Sequence, residues 1–217
     1  MNADQTTLSK RILSIDILRG LVMIIMALDH TRDFFHIGAM TGDPLNPDTT
    51  TGMLFFTRWI THFCAPTFVF LSGLSAYLSA QNKTPAQASK FLLKRGLWLI
   101  FIEIAVITLG LTFNPSYNFL VLQVIWAIGC SMIFLALASR ISYKTVLVVG
   151  LVLVFGHNLF NLFPAPTDPT GVLILKVFFT ASGTIIPLSN NHFIGDFYAI
   201  LPWTGVMFVG YGIGAWY

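Results

Sequence analysis

Six apolar runs, each close to the length needed to cross the roughly 30 Å hydrocarbon core of a bilayer, limit what this chain can fold into. They fall near residues 13–36, 54–79, 96–113, 119–138, 145–163 and 197–217. A helix satisfies its own backbone polar groups, so helices are the expected form of such runs in lipid. The segments between them break helices for chemical reasons: GAMTGDPLNPDTTTG (38–52), NPSYN (114–118) and PAPTDPTG (164–171) are dense in Gly, Pro, Asp, Asn and Thr. The run 172–187 is apolar but short and carries Lys176, Gly183 and Pro187, which suits a re-entrant or interfacial helix. The expected fold class is an all-α integral membrane protein. It would be a polytopic bundle of about six transmembrane segments plus that one re-entrant or interfacial helix, in a single membrane domain over residues 1–217.

Composition argues the same way. Only 10% of the residues are charged, against roughly 25% in an average soluble domain, and the mean hydropathy is +0.76. Twelve Lys and Arg with nine Asp and Glu are too few to clothe a core holding twenty Phe. The net charge of +3 is dispersed in short loops, which points away from nucleic acid. Cys64 and Cys130 sit inside apolar runs without CxxC spacing, so no disulfide scaffold is expected. Lys10 and Arg11, then Lys83, Lys90, Lys94 and Arg95, then Arg140 and Lys144 fall on one side of the expected spans, and the opposite loops hold almost no cations. That asymmetry predicts a cytoplasmic N-terminus, and an uncleaved first helix follows because no small-residue cleavage site lies at the usual distance. The last run ends at Tyr217 without a polar tail, so the chain is expected to be the N-terminal part of a longer helical bundle.

An ionisable residue in mid-membrane costs roughly 2.5–3.5 kcal/mol on insertion scales and usually faces protein or water. The first run places Asp16 and Arg19 near its inner end and Asp29, His30, Arg32, Asp33 and His36 near its outer end. Asp29, Arg32, Asp33 and His36 share one helical face, and His30 points about 100° from Asp29. The plain reading of DHTRD is a wet interfacial end whose charges pair in water. Against it stand Arg58 and His62, an i, i+4 pair on the second helix, which descends from the outer face and brings both to the depth of Asp29 to His36. Pro66 removes a backbone donor there and is expected to kink the helix. His157 and His192 lie on the same outer half, where a histidine is more often a packing residue than a catalyst. Glu103 is a further intramembrane carboxylate, able to pair with Arg19 or Arg58 or to pass protons. Ser72 to Ala76 and Gly210, Gly212 and Gly214 are small enough to let helices approach closely.

Three stretches carry a resemblance: SIDILRG (14–20), WITHFCAPTFVFLSG (59–73), and LPWTGV (201–206) before GYG (210–212). The chain resembles the heparan-α-glucosaminide N-acetyltransferase catalytic-domain family, in its bacterial branch. That family falls within a wider superfamily of transmembrane acyltransferases in which a basic residue, ten residues and then a His recur on one helix. Arg19 and His30 match that spacing, and eleven helical steps of about 1.5 Å separate them by roughly 16 Å, half the hydrocarbon layer. The resemblance implies an acyl-CoA donor, acetyl-CoA above all, from the cytoplasm and a hydroxyl or amino acceptor, as on a sugar or glycan, at the outer face. The membrane would be a bacterial inner membrane. The animal branch lacks a His where His30 stands and has its proposed catalytic His further on, so His36 is an alternative to His30.

On this reading His30 is a general base and Asp29 or Asp33 orients its ring, with His36 and His62 as further catalytic candidates. Arg58 or Arg19 binds phosphate or a developing oxyanion, and Arg32 and Asp16 complete the substrate-binding set. An acyl-histidine intermediate is an open variant. The rival reading is a transporter or proton-coupled exporter of a small molecule or glycan, because the same residue types build relays. A metal site from His30, Asp33 and His62 lacks supporting spacing, and no metal is expected. Nucleic acid is not an expected partner, and an oligomer is compatible with the sequence.

Overall fold

The structure is a computed structural model and describes residues 12–36, 45, 46, 48, 50–162, 164, 166–180, 184–189 and 191–217. The chain divides into two compact units, Met1–Phe68 and Val69–Tyr217.

In the first unit, helix α1 spans Leu13–Phe35, with Asp16 in its first turn and Arg32 in its last. Both charges oppose the helix dipole at their own ends, a favourable placement. Helix α2, Gly52–Thr61, opens on Thr51, whose hydroxyl accepts the Leu54 N–H. Two turn residues, His62 and Phe63, separate it from α3, Cys64–Ala80, which runs on into the second unit. The break has a covalent cause: Pro66 has no N–H to offer the His62 carbonyl.

In the second unit, α4, Pro85–Ile102, starts with a capping box between Thr84 and Gln87 and has Pro85 in its first turn. It continues through a π-helical turn, Glu103–Ile107, into α5, Thr108–Thr112, and stops at Phe113 in a left-handed conformation, φ 50°. Strand β1, Phe119–Leu122, leads into α6, Val124–Ala138, and α7, Tyr143–Gly156, follows. After a 3-10 turn, His157–Leu162, come α8, Pro169–Leu175, and a π turn, Lys176–Thr180. Strands β2, Thr184–Ser189, and β3, His192–Asp196, precede α9, Ile200–Ile213. The sheet order is β1-β3-β2, with β1 parallel and β2 antiparallel to β3. Val69, Leu92, Leu135, Val146, Met207 and Tyr211 belong to the core that joins α3, α4, α6, α7 and α9.

The small residues let backbones touch in that core. A Cβ at Gly73 would run into the Met207 carbonyl, and one at Gly210 into the Phe70 carbonyl. Gly96 and Gly129 bring α4 and α6 together in the same way, a Cβ at Gly96 lying 2.6 Å from the Gly129 carbonyl oxygen. The two small-residue clusters read from the sequence therefore face each other, α3 against α9.

The expected all-α bundle of about six transmembrane segments is corrected on two counts. Among the described residues, one stretch, Gly52–Ala80, is long and apolar enough to cross a membrane. The apolar helices Val124–Ala138, Tyr143–Leu159, Thr170–Thr180 and Ile200–Trp216 have 10–17 residues. A fifteen-residue helix is only about 22 Å long, short of the ~30 Å hydrocarbon layer. Helix α1 has the length but carries Asp16, Arg19, Asp29, Arg32 and Asp33, and α4 becomes wholly apolar only beyond Arg95. The chain is also not all-α. The run 119–138 divides at Gln123 because Phe119 to Leu122 pair with β3, and the run 172–187 is part helix and part strand β2 rather than one re-entrant helix. Apolar length counts a buried strand and a short buried helix as one span, and that is how the count rose to six.

Candidate functional site

The charged residues of α1 and α2 meet at Asp29. Its carboxylate accepts from Arg58 Nη1 at 3.0 and 2.8 Å, one contact to each oxygen. Arg32 Nη2 lies 3.1 Å from Asp29 Oδ1 and also pairs with Asp33. The Thr61 hydroxyl is 2.9 Å from Asp29 Oδ1 and 3.0 Å from the Arg58 carbonyl oxygen, and Thr61 itself is buried. Helical spacing puts Asp29, Arg32 and Asp33 on one face of α1 and sets Arg58 and Thr61 one turn apart on α2. The Asp29 and Arg32 side chains are only 17% and 11% exposed, so their pairing is shielded from water to a degree that surface pairs are not. Arg32 Nη1 is buried without a hydrogen-bond partner. A guanidinium N–H left over in a shielded position is the donor an anionic oxygen would take.

The histidines stand around this cluster. His62, next in the chain after Thr61, has Nδ1 2.8 Å from the Arg58 carbonyl oxygen, on an exposed ring. A carbonyl only accepts, so Nδ1 is the donor in that contact, and a neutral ring in that tautomer has its lone pair on Nε2. His30, adjacent to Asp29, is exposed. His36 caps α1, is exposed, and gives its backbone N–H to the Arg32 carbonyl at 2.9 Å. Asp16 and Arg19 make a long contact of 3.5 Å near the start of α1, both well exposed. His157 Nδ1 bonds the Val154 carbonyl at 2.7 Å, and His192 meets the Ser189 hydroxyl at 3.1 Å. Among the described residues no group of three or more His, Cys, Asp or Glu is placed to hold a metal ion, so His30, Asp33 and His62 do not gather as one.

Two buried carboxylates form a separate polar feature in the second unit. Glu103, at the start of the π turn, accepts the Gln123 backbone N–H through Oε1 and leaves Oε2 without a partner. Asp196, opposite Leu122 in the β1–β3 ladder, accepts the Tyr198 N–H at 3.3 Å and leaves Oδ2 without a partner. Both are fully buried. Burial pushes the Asp196 carboxyl up from 3.8 to about 6, partly offset by the Tyr198 hydrogen bond. Sequence reasoning missed Thr61 and Asp196. Thr61 had one usable signal, its place three residues after Arg58 inside an apolar helix. Asp196 had only its isolation between Phe193-Ile194 and the final apolar run.

No curated protein and no solved structure matches this chain. The family model described as heparan-alpha-glucosaminide N-acetyltransferase, catalytic, does match, over residues 11–217, which takes in α1 with its charged end, α2 and α9. The chain belongs to that family and carries its general acyltransferase-type character.

Proposed function

We propose that this protein transfers an acyl group, acetyl above all, from cytoplasmic acyl-CoA to a hydroxyl or amino group of a sugar-type acceptor at the outer face of a bacterial inner membrane, with its N-terminus cytoplasmic. The observation that carries the reading is the contact of His62 Nδ1 with the Arg58 carbonyl, which in the neutral ring makes Nε2 the acceptor, next in the chain to Thr61 of the Asp29 cluster. In the reaction Nε2 takes the proton of the acceptor O–H or N–H while that atom attacks the thioester carbonyl. The carbonyl oxygen gains negative charge, and the Arg32 Nη1 donor is suited to stabilise it. The C–S bond then breaks, the new ester or amide forms, and the CoA thiolate takes the proton back from the imidazolium.

His30 and His36 are the imidazoles for holding the acceptor, Asp29 and Asp33 fix the two arginines, and Arg19 with Asp16, near the start of α1, takes the phosphates of the donor. Arg58 positions His62 through its own carbonyl. The test is transfer of label from acetyl-CoA to a panel of glycans by the purified chain in detergent or nanodiscs. His62→Ala is expected to lower turnover about 10²–10⁴-fold, the usual contribution of a general base, and His30→Ala to raise the acceptor KM with a smaller loss of turnover. Substrate uptake into vesicles without any acylated product would overturn the reading in favour of a transporter.

A further inference from the structure

The second unit is electrically polarised. It holds seven cationic residues, and six of them, Lys83, Lys90, Lys94, Arg95, Arg140 and Lys144, lie on one half of the bundle. The contacts that gather them are specific. The Ser89 hydroxyl donates to the Ala136 carbonyl at 2.7 Å and ties the start of α4 to the end of α6. The Tyr77 and Tyr143 rings, with centroids 6.2 Å apart, tie the end of α3 to the start of α7. Lys83 follows α3, and Arg140 lies in the turn between α6 and α7. The carboxylates Glu103 and Asp196 sit at the opposite half, at the sheet and the start of α6. Lys176, the seventh cation, is in the π turn after α8, which packs against the 3-10 turn at the far end of α7 from Lys144.

Lys90, Lys94, Arg95, Arg140 and Lys144 are exposed, and none forms an ion pair among the described residues. Exposed apolar side chains adjoin them in the chain: Leu97 and Trp98 on α4 just after Arg95, with Phe101 about one turn further on, Leu137 on α6, and Ile141 beside Arg140. Trp98 and Phe101 stack, with ring centroids 5.5 Å apart.

We propose that this basic half docks on a bilayer leaflet rich in anionic phospholipid, the ammonium and guanidinium groups taking headgroup phosphates and the Trp98–Phe101 pair entering the acyl boundary. Charge complementarity selects the anionic headgroup, because cations without carboxylate partners gain most from a surface that concentrates negative charge. The adjoining apolar side chains select a lipid surface over a soluble phosphate compound, which would leave Leu97, Trp98, Leu137 and Ile141 in water. The inference stands whether or not the chain transfers an acyl group.

The full chain in a neutral detergent would be titrated with dihexanoylphosphatidylglycerol, and in parallel with dihexanoylphosphatidylcholine and with free CoA, reading tryptophan fluorescence and the melting temperature. Phosphatidylglycerol is expected to bind and to weaken as salt rises, phosphatidylcholine to bind at least tenfold more weakly, and CoA to leave phosphatidylglycerol bound. Lys94→Gln, Arg95→Gln and Arg140→Gln should each weaken phosphatidylglycerol by about fivefold, whereas Lys176→Gln leaves it unchanged. These side chains are exposed, so an unchanged melting temperature without lipid certifies each variant, and the salt titration of the unaltered chain needs no variant. Equal binding of the two lipids, displacement of phosphatidylglycerol by CoA, or an equal loss in Lys176→Gln would overturn the proposal.

Discussion

Arg58 Nη1 on α2 reaches both carboxylate oxygens of Asp29 on α1, at 3.0 and 2.8 Å, and so joins two helices that are 29 positions apart at that contact. One carboxylate thereby answers two guanidinium groups and a hydroxyl. Removing it leaves more behind than removing any other member of the cluster, because the cost of an unpaired, half-buried charge exceeds the value of one hydrogen bond. Asp29→Ala is expected to destabilise the protein by about 1–3 kcal/mol, a figure kept low because Arg58 retains 30% exposure and some access to water. Asp33→Ala, at a more exposed site, should cost no more than about 1 kcal/mol. Thermal melts of the two variants in one detergent check the order, and a larger loss at Asp33 would contradict it.

Thr61 supplies a milder test of the same contact. Thr61→Val keeps the shape and removes the hydroxyl between Asp29 and the Arg58 carbonyl, so one acceptor loses a donor. The expected loss is about 1 kcal/mol of stability. The helix carrying His62 is anchored by the same contact, so turnover should fall more than substrate affinity, while Thr61→Ser should restore both. Loss of affinity alone, with turnover intact, would remove Thr61 from the positioning of His62.

What the sequence revealed and what it hid follow from the range of the physics involved. The meeting of Asp29 with Arg58 was legible because two costly charges in adjacent apolar runs need partners, and antiparallel helices place them at one depth. That α3 and α9 each admit a close neighbour was legible because Gly73 and Gly210 stand among small residues in apolar helices, but that the two are each other's neighbour was not. Strand β1 was not legible: Phe119 to Leu122 are as apolar as the helix that follows, and their pairing with β3 depends on residues more than seventy positions away. For the same reason the burial of Asp196, which lies outside every apolar run, had no mark in the sequence. The span count failed through length, since hydropathy does not register where an apolar segment changes from strand to helix.

The Asp196 carboxyl gives a pH dependence whose sign is determined. Its value in the folded protein is about 6 against an ordinary 3.8. Between those values the folded chain holds a proton that the unfolded chain has released, so stability falls as pH rises from about 4 to about 6 and then levels off. Two units correspond to roughly 3 kcal/mol as an upper scale. Asp196→Asn cannot ionise and is expected to flatten that part of the melting-temperature profile and to melt higher than the unaltered chain at neutral pH. An unchanged slope in the variant would assign the titration to another group.

Three glycine substitutions separate packing from helix propensity. Alanine is the better helix former by about 0.5–1 kcal/mol, so a glycine with open space around it is improved by the change. Gly20 on α1 is such a site, with nothing within 4 Å of an added Cβ. Gly73 and Gly210 are the reverse, because the atom that a new methyl would meet is a backbone carbonyl, of Met207 and of Phe70, and neither can rotate aside. Relief would require α3 and α9 to separate along their length, which loosens Val69, Met207 and Tyr211 in the core. Gly73→Ala and Gly210→Ala should therefore each cost about 2–3 kcal/mol, and Gly20→Ala should be neutral or slightly stabilising. The double variant should lose less than the sum of the two, because separation of the helices at one contact relieves the other. Full additivity in thermal melts would show instead that each glycine is accommodated locally.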